Sequence, residues 1–242
     1  GLGLGLSWMA GHPQTSWFST CIVIAYFAYR VYQQKYSWQK FAMGIILFGA
    51  ITFGVVAVQF VPAMEYSGLS MRDGLNFDDK GNGFPLQDII QFLFPSVVSI
   101  YSPLYISVAG FILAIIAVLG KTRDYIFWIG LASIGLVLSF GANTALYHMI
   151  YNFMPGASLF RGQERFAFIV VIALTILAGH GLSILISKAI DKIILRDFRR
   201  LIASILGLCI VITVFVLVSW FGEPDQYNHV IQPIVFSTVI VG

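Results

Sequence analysis

Apolar residues in this chain come in long unbroken runs, without the alternation of a half-buried strand or the single stripe of a soluble surface helix. About 20 apolar residues carry a helix across a bilayer, and six stretches approach that length, at residues 16–32, 41–61, 104–119, 125–140, 166–187 and 201–221. The fourth spans roughly 24 Å at about 1.5 Å per residue, which is short unless Gly141 and Ala142 extend it. Residues 1–10 read as the end of a preceding helix and 230–241 as the first turns of a following one, so the chain reads as an internal piece of a longer protein. The predicted fold is all-α. It is a single polytopic transmembrane helix bundle over 1–242, with six full spans, truncated ones at each end, and loops that alternate between two sides.

Composition turns this pattern into a requirement for lipid. Apolar residues make up 58% of the chain and charged residues 10%, against roughly 45–50% and 25% in soluble domains. One globular core cannot enclose that much apolar surface. The two cysteines, Cys21 and Cys209, both lie inside apolar runs, which excludes a disulfide scaffold and a cysteine-based zinc site.

The placement of charge then orients the spans. Loops 33–40, 120–124 and 188–200, with Arg30 at their edge, hold ten Lys and Arg against three Asp; loops 62–103, 143–165 and 222–233 hold four against eight acids. Basic loops stay in the cytoplasm, so the second set is predicted to face outside. Trp17, Tyr101, Tyr105, Tyr151 and Trp220 fall at outer ends, and Tyr29, Tyr36, Trp38, Tyr125 and Trp128 at inner ones, as headgroup anchors should. Arg196, Arg199 and Arg200 read as inner-leaflet contacts, and nucleic acid is not an expected partner.

Polar residues gather on the outer side, where the candidate chemistry lies. Between Pro85 and Pro95, Leu86, Ile89, Ile90 and Leu93 follow a helical period with Gln87, Asp88 and Gln91 opposite, predicting a short interfacial helix, either a lid or a brace. Arg161 and Arg165 are four apart, with Glu164 between, and share a helix face if the fifth span begins early. Two guanidiniums there suit a phosphate headgroup; an ion pair with Glu164 and a snorkelling arginine is the alternative. Glu65, with Arg72 seven residues on, is either a general base at the membrane edge or half of a loop salt bridge. His12 and Gln14 stand at the entrance of the first span, where Thr15 and Ser16 can cap it. His180, inside the fifth span, should face the bundle and hydrogen-bond to another helix. Gly1, Gly3 and Gly5 lack the spacing of a phosphate loop and read as close helix packing. No motif of a hydrolase, zinc enzyme or ATPase is present, and neither a metal nor another cofactor is expected.

Several short motifs occur in one order: Gly11-His12-Pro13-Gln14; Gln59-Phe60-Val61-Pro62-Ala63-Met64-Glu65 with Leu69-Ser70-Met71-Arg72; Phe94-Pro95; Gly141-Ala142-Asn143-Thr144-Ala145-Leu146-Tyr147; Pro155-Gly156-Ala157-Ser158-Leu159-Phe160-Arg161; and Arg165-Phe166. Together they resemble the bacterial YfhO family of polytopic membrane proteins, over nearly all of the chain up to about Ile186. That resemblance implies a GT-C-like glycosyltransferase of the bacterial cytoplasmic membrane. Such an enzyme takes a sugar from a polyprenyl-phosphate-linked donor and attaches it to an extracytoplasmic cell-envelope polymer or lipid acceptor. On this reading Arg161 and Arg165 neutralise the departing lipid phosphate, and Glu65, His12 and Arg72 line the acceptor side; the usual GT-C catalytic carboxylate would lie upstream of Gly1. Two positions depart from the family pattern. Tyr105-Ile106-Ser107 stands for Tyr-x-Gly, and Phe160-Arg161-Gly162-Gln163-Glu164-Arg165 for Phe-Arg-x-Pro-x-Arg. The competing readings are a lipid-linked saccharide transporter or flippase, which should carry midplane charges or broken helices, and a non-catalytic membrane subunit.

Overall fold

The computed structural model describes residues 1–67, 80–99, 102–144 and 161–187, with isolated positions at 147, 149, 151 and between 196 and 211. The sixth expected span at 201–221, the loop at 222–233 and the start of a following helix at 230–241 lie largely or wholly outside them. All described regular structure is helical: α1 (Leu2–Met9), α2 (Pro13–Gln33), α3 (Trp38–Ser67), α4 (Val108–Leu119), α5 (Tyr125–Ser139) and α6 (Ala167–Ile186), with 3-10 turns at Leu86–Phe92, Gly141–Asn143 and Gln163–Phe166. Among the described residues, two stretches, Trp38–Ala63 and Gln163–Ile186, are long and apolar enough to cross a membrane.

Local chemistry sets the helix limits. Ser107 caps α4, its Oγ accepting from the Gly110 N–H at 3.0 Å, so the helix starts at Val108 and the expected run from Leu104 is shortened. Ser107 does this with φ 71° and ψ 150°, a backbone region that glycine enters without strain. Gly141, at φ 53°, turns away after α5, so the expected extension of the fourth run into 141–142 is a 3-10 turn. Conversely, α3 continues through Pro62 to Ser67, and the loop expected from residue 62 begins later. Pro62 loses its N–H bond to the preceding turn, and its ring crowds the carbonyl of Val58 there.

The core forms where α4 and α5 both pack on α6, and α2 reaches the same helix. Small residues permit the approach. Ala114 and Ala117 of α4 and Ala173 of α6 are buried, and a Cβ at Gly181 would overlap the carbonyl oxygen of Leu113 and lie 2.7 Å from its carbon. Gly135 of α5 meets Ile169 in the same manner. Around these contacts Phe18, Phe166, Val170 and Leu177 fill the interior. Trp128 belongs to this core, 6% exposed, so it is no headgroup anchor.

A second layer joins α1 to α3. Hypothetical Cβ atoms on Gly1 and Gly5 would press on Ile51 and Val55, whereas one on Gly3 meets nothing, which realises the close helix packing expected of that glycine repeat. The outward side of α3 carries Met43, Ile46, Leu47, Phe53 and Val58, between 56% and 80% exposed. A contiguous apolar face of this kind needs an apolar partner.

Candidate functional site

The polar residues of the described structure collect at the two ends of α2. At its first turn, His12 is the N-cap, its Nδ1 accepting from the Thr15 backbone N–H at 3.3 Å and lying 2.6 Å from the Thr15 hydroxyl. This leaves Nε2 of the exposed ring facing solvent. Two residues on, Gln14 is 3% exposed, and its Oε1 accepts a hydrogen bond from Arg165 Nη1 at 2.7 Å. Arginine only donates, so the amide oxygen must face it; Gln14 Nε2 is buried with no partner among the described residues. Ser16 ties the same turn to α1 through the Ser7 carbonyl at 2.8 Å.

An extended strap, residues 80–84, lies across this end. Gln163 donates from its backbone N–H to the Asn82 carbonyl (2.6 Å) and from Nε2 to the Lys80 carbonyl (2.8 Å). The Ala142 N–H bonds the Gly81 carbonyl, the Phe84 N–H bonds the Ser139 carbonyl, and Asn143 Nδ2 bonds the Phe84 carbonyl. Gly83 and Gly141 are required because side chains there would strike backbone. A proline at 163 would have no N–H to donate to the Asn82 carbonyl. Buried Tyr147 sits beside Gln163; burial pushes its phenol up to about 12, Tyr151 adds to the rise, and a hydrogen bond with Gln163 opposes it.

The segment between Pro85 and Pro95 keeps Leu86 and Ile89 apart from Asp88 and Gln91, as expected, and turns the polar row into the protein. It is a 3-10 helix, and its three residues per turn put Asp88 and Gln91 in one row and Leu86 and Ile89 in another. Asp88 and Gln91 are wholly buried, while Leu86 and Ile89 are more than half exposed. Asp88 Oδ2 accepts from Ser99 Oγ, and Gln91 Oε1 from the Leu104 N–H at 3.4 Å. A brace fits these contacts. Phe92 stacks on Phe111 at the head of an apolar groove of about 190 Å³ between α4, α5 and α6.

The other expected site residues separate. Arg161 precedes Gly162, whose φ of 74° breaks the chain direction, and helical structure starts only at Gln163; Arg161 and Arg165 therefore do not share one helix face. Glu164 turns back over Gly162 and forms no ion pair with either arginine. Arg161 and Arg165 are exposed and have no carboxylate within salt-bridge range among the described residues. Glu65 is exposed on the last turn of α3, and Arg72 lies outside the described residues. His180 is half-buried, and the expected interhelical hydrogen bond does not occur among the described residues. No group of three or more His, Cys, Asp or Glu able to hold a metal occurs among the described residues.

At the far end of α2 stands a cluster that the sequence had marked only as loop charge. Asp124, its side chain 4% exposed, accepts from Tyr26 Oη (3.1 Å), Arg30 Nη1 (3.3 Å) and Gln33 Nε2 (3.0 Å), with Arg123 Nε at 3.7 Å. Tyr29 and Phe127 pack beside it, and Gln33 also donates to the Tyr29 hydroxyl. Its four partners saturate the carboxylate, which makes it a joint between α2 and α5. No family model, curated protein or solved structure matches the chain.

Proposed function

We propose that this chain is part of a polytopic integral membrane glycosyltransferase of the bacterial cytoplasmic membrane, similar to the YfhO family, with the His12–Arg165 end facing outside. It transfers a sugar from a polyprenyl-phosphate carrier to an extracytoplasmic cell-envelope acceptor. The observation that carries this reading is that Arg161 and Arg165 are both accessible, on either side of the Gly162 turn, without carboxylate counter-ions among the described residues. The apolar outward face of α3 and the two crossing-length helices support a lipid setting.

In such a transfer the bond between the sugar's anomeric carbon and the carrier phosphate breaks, and a bond to an acceptor hydroxyl forms. Negative charge grows on the departing phosphate, and guanidiniums held at that position stabilise it most in the transition state. The acceptor's proton goes to a carboxylate, for which exposed Glu65 is the candidate in this chain; His12 Nε2 and Arg72 are assigned to the acceptor side. Replacing Arg161 and Arg165 with Ala in the complete protein should abolish transfer from polyprenyl-phosphate sugars with membrane expression intact. Unchanged turnover would remove both from the mechanism.

A further inference from the structure

Arginines near a buried acceptor usually meet a carboxylate, which fixes the guanidinium and cancels its charge together. Arg165 meets an amide. Gln14 is 97% buried by the complement of its 3% exposure, anchored on the second residue of α2, and reaches Arg165 Nη1 at 2.7 Å. The neutral oxygen orients the guanidinium and leaves its full charge available. Glu164, the nearest carboxylate in sequence, is turned over Gly162. Oε1 is committed to Arg165, and the side chain is out of solvent.

We infer that Gln14 is a positioning residue that holds Arg165 as a cation with no carboxylate partner among the described residues, making this end of α2 selective for a phosphate-bearing lipid over the corresponding alcohol. The inference rests on the phosphate reading of Arg161 and Arg165 and names what keeps that site charged. Gln14→Glu would preserve the hydrogen bond and convert it into an ion pair, cancelling the charge without moving the arginine. Gln14→Leu would remove the acceptor and free the arginine.

The test is the preference for farnesyl phosphate over farnesol, read by intrinsic tryptophan fluorescence of the full protein in nanodiscs; Trp17 lies 6.3 Å from the Phe166 ring beside Arg165. A carboxylate at position 14 competes with the phosphate for the Arg165 guanidinium, so Gln14→Glu should reduce the preference on the order of 10-fold with farnesol affinity unchanged. A role confined to packing would change both ligands alike. If Gln14→Glu keeps the preference while Arg165→Ala loses it, the inference falls and the phosphate reading stands. If the Arg161→Ala/Arg165→Ala protein also keeps it, the phosphate reading falls. Should Gln14→Glu not fold, Gln14→Leu decides: a several-fold loss of preference is expected, and an unchanged preference overturns the inference.

Discussion

Two glycines flank His180 on α6, and the structure assigns opposite consequences to filling them. A Cβ at Gly179 meets nothing within 4 Å; one at Gly181 would overlap the Leu113 carbonyl oxygen and stand 2.7 Å from its carbon, with Leu113 Cα at 3.2 Å. Carbon atoms rest at about 3.5–4.0 Å, so accommodating Gly181→Ala requires α4 and α6 to separate by about 1 Å. The atoms in the way are backbone and cannot rotate aside. A gap of that size forfeits a quarter to a half of each dispersion contact it opens, along a seam that includes buried Ala114, Ala117, Ala173 and Leu177. Overpacking costs about 1–3 kcal/mol, about 2–3 kcal/mol where the obstacle is backbone, and alanine's better helix propensity returns about 1 kcal/mol. Gly181→Ala should therefore lose about 1–2 kcal/mol and Gly179→Ala gain about 0.5–1 kcal/mol. In thermal unfolding in mild detergent, followed by far-UV circular dichroism, the two variants should melt roughly 4–10 °C apart, with wild type between them. Equal shifts, or a more stable Gly181→Ala, would refute the close crossing of α4 and α6.

The remaining predictions use the same measurement. Ser107 holds a glycine-favoring backbone while capping α4; Ser107→Gly relieves about 1–2 kcal/mol of strain and loses a few tenths from the cap, whereas Ser107→Ala keeps the strain and loses about 1 kcal/mol. The order of stability should be Gly, Ser, Ala, and an alanine variant as stable as wild type would contradict it. Asp124→Ala leaves Arg30 and Tyr26 without their acceptor and should cost about 2 kcal/mol, below the 3–5 kcal/mol of a fully buried pair because Arg30 retains some solvent contact. Asp124→Asn, which keeps one acceptor oxygen, should cost less, and equal losses would mean that charge, not hydrogen bonding, holds the joint.

Helix existence was legible in the sequence because long apolar runs have few alternative structures. Where α4 begins was not, since the run from Leu104 is equally apolar on both sides of Ser107 and only the backbone turn there decides. The segment from Leu86 to Phe92 shows another limit. Its apolar and polar positions separate at either helical period, and which row faces the protein is decided by Ser99 and the Leu104 N–H, 11 and 13 residues beyond their partners Asp88 and Gln91. Gln14 and Arg165 were both marked as site residues on separate grounds, but a bond across 151 positions is a product of packing that no local pattern records. Asp124 was counted only as a loop charge, because its partners Tyr26, Arg30 and Gln33 come from a helix more than 90 residues away. Pairing Arg161 with Arg165 failed at Gly162, whose positive φ a four-residue spacing cannot anticipate.

Helix α2 is bolted twice, by Gln14 to Arg165 at its start and by Arg30 to Asp124 near its finish. Sixteen residues separate the bolts, about 24 Å along the axis at 1.5 Å per residue. Sliding by one turn would shear both joints together, and rotation about the axis would swing both side chains off their partners. Pinned at both ends, the helix is held in one register and one facing, so the arginine end and the aspartate end keep a fixed separation and orientation to each other.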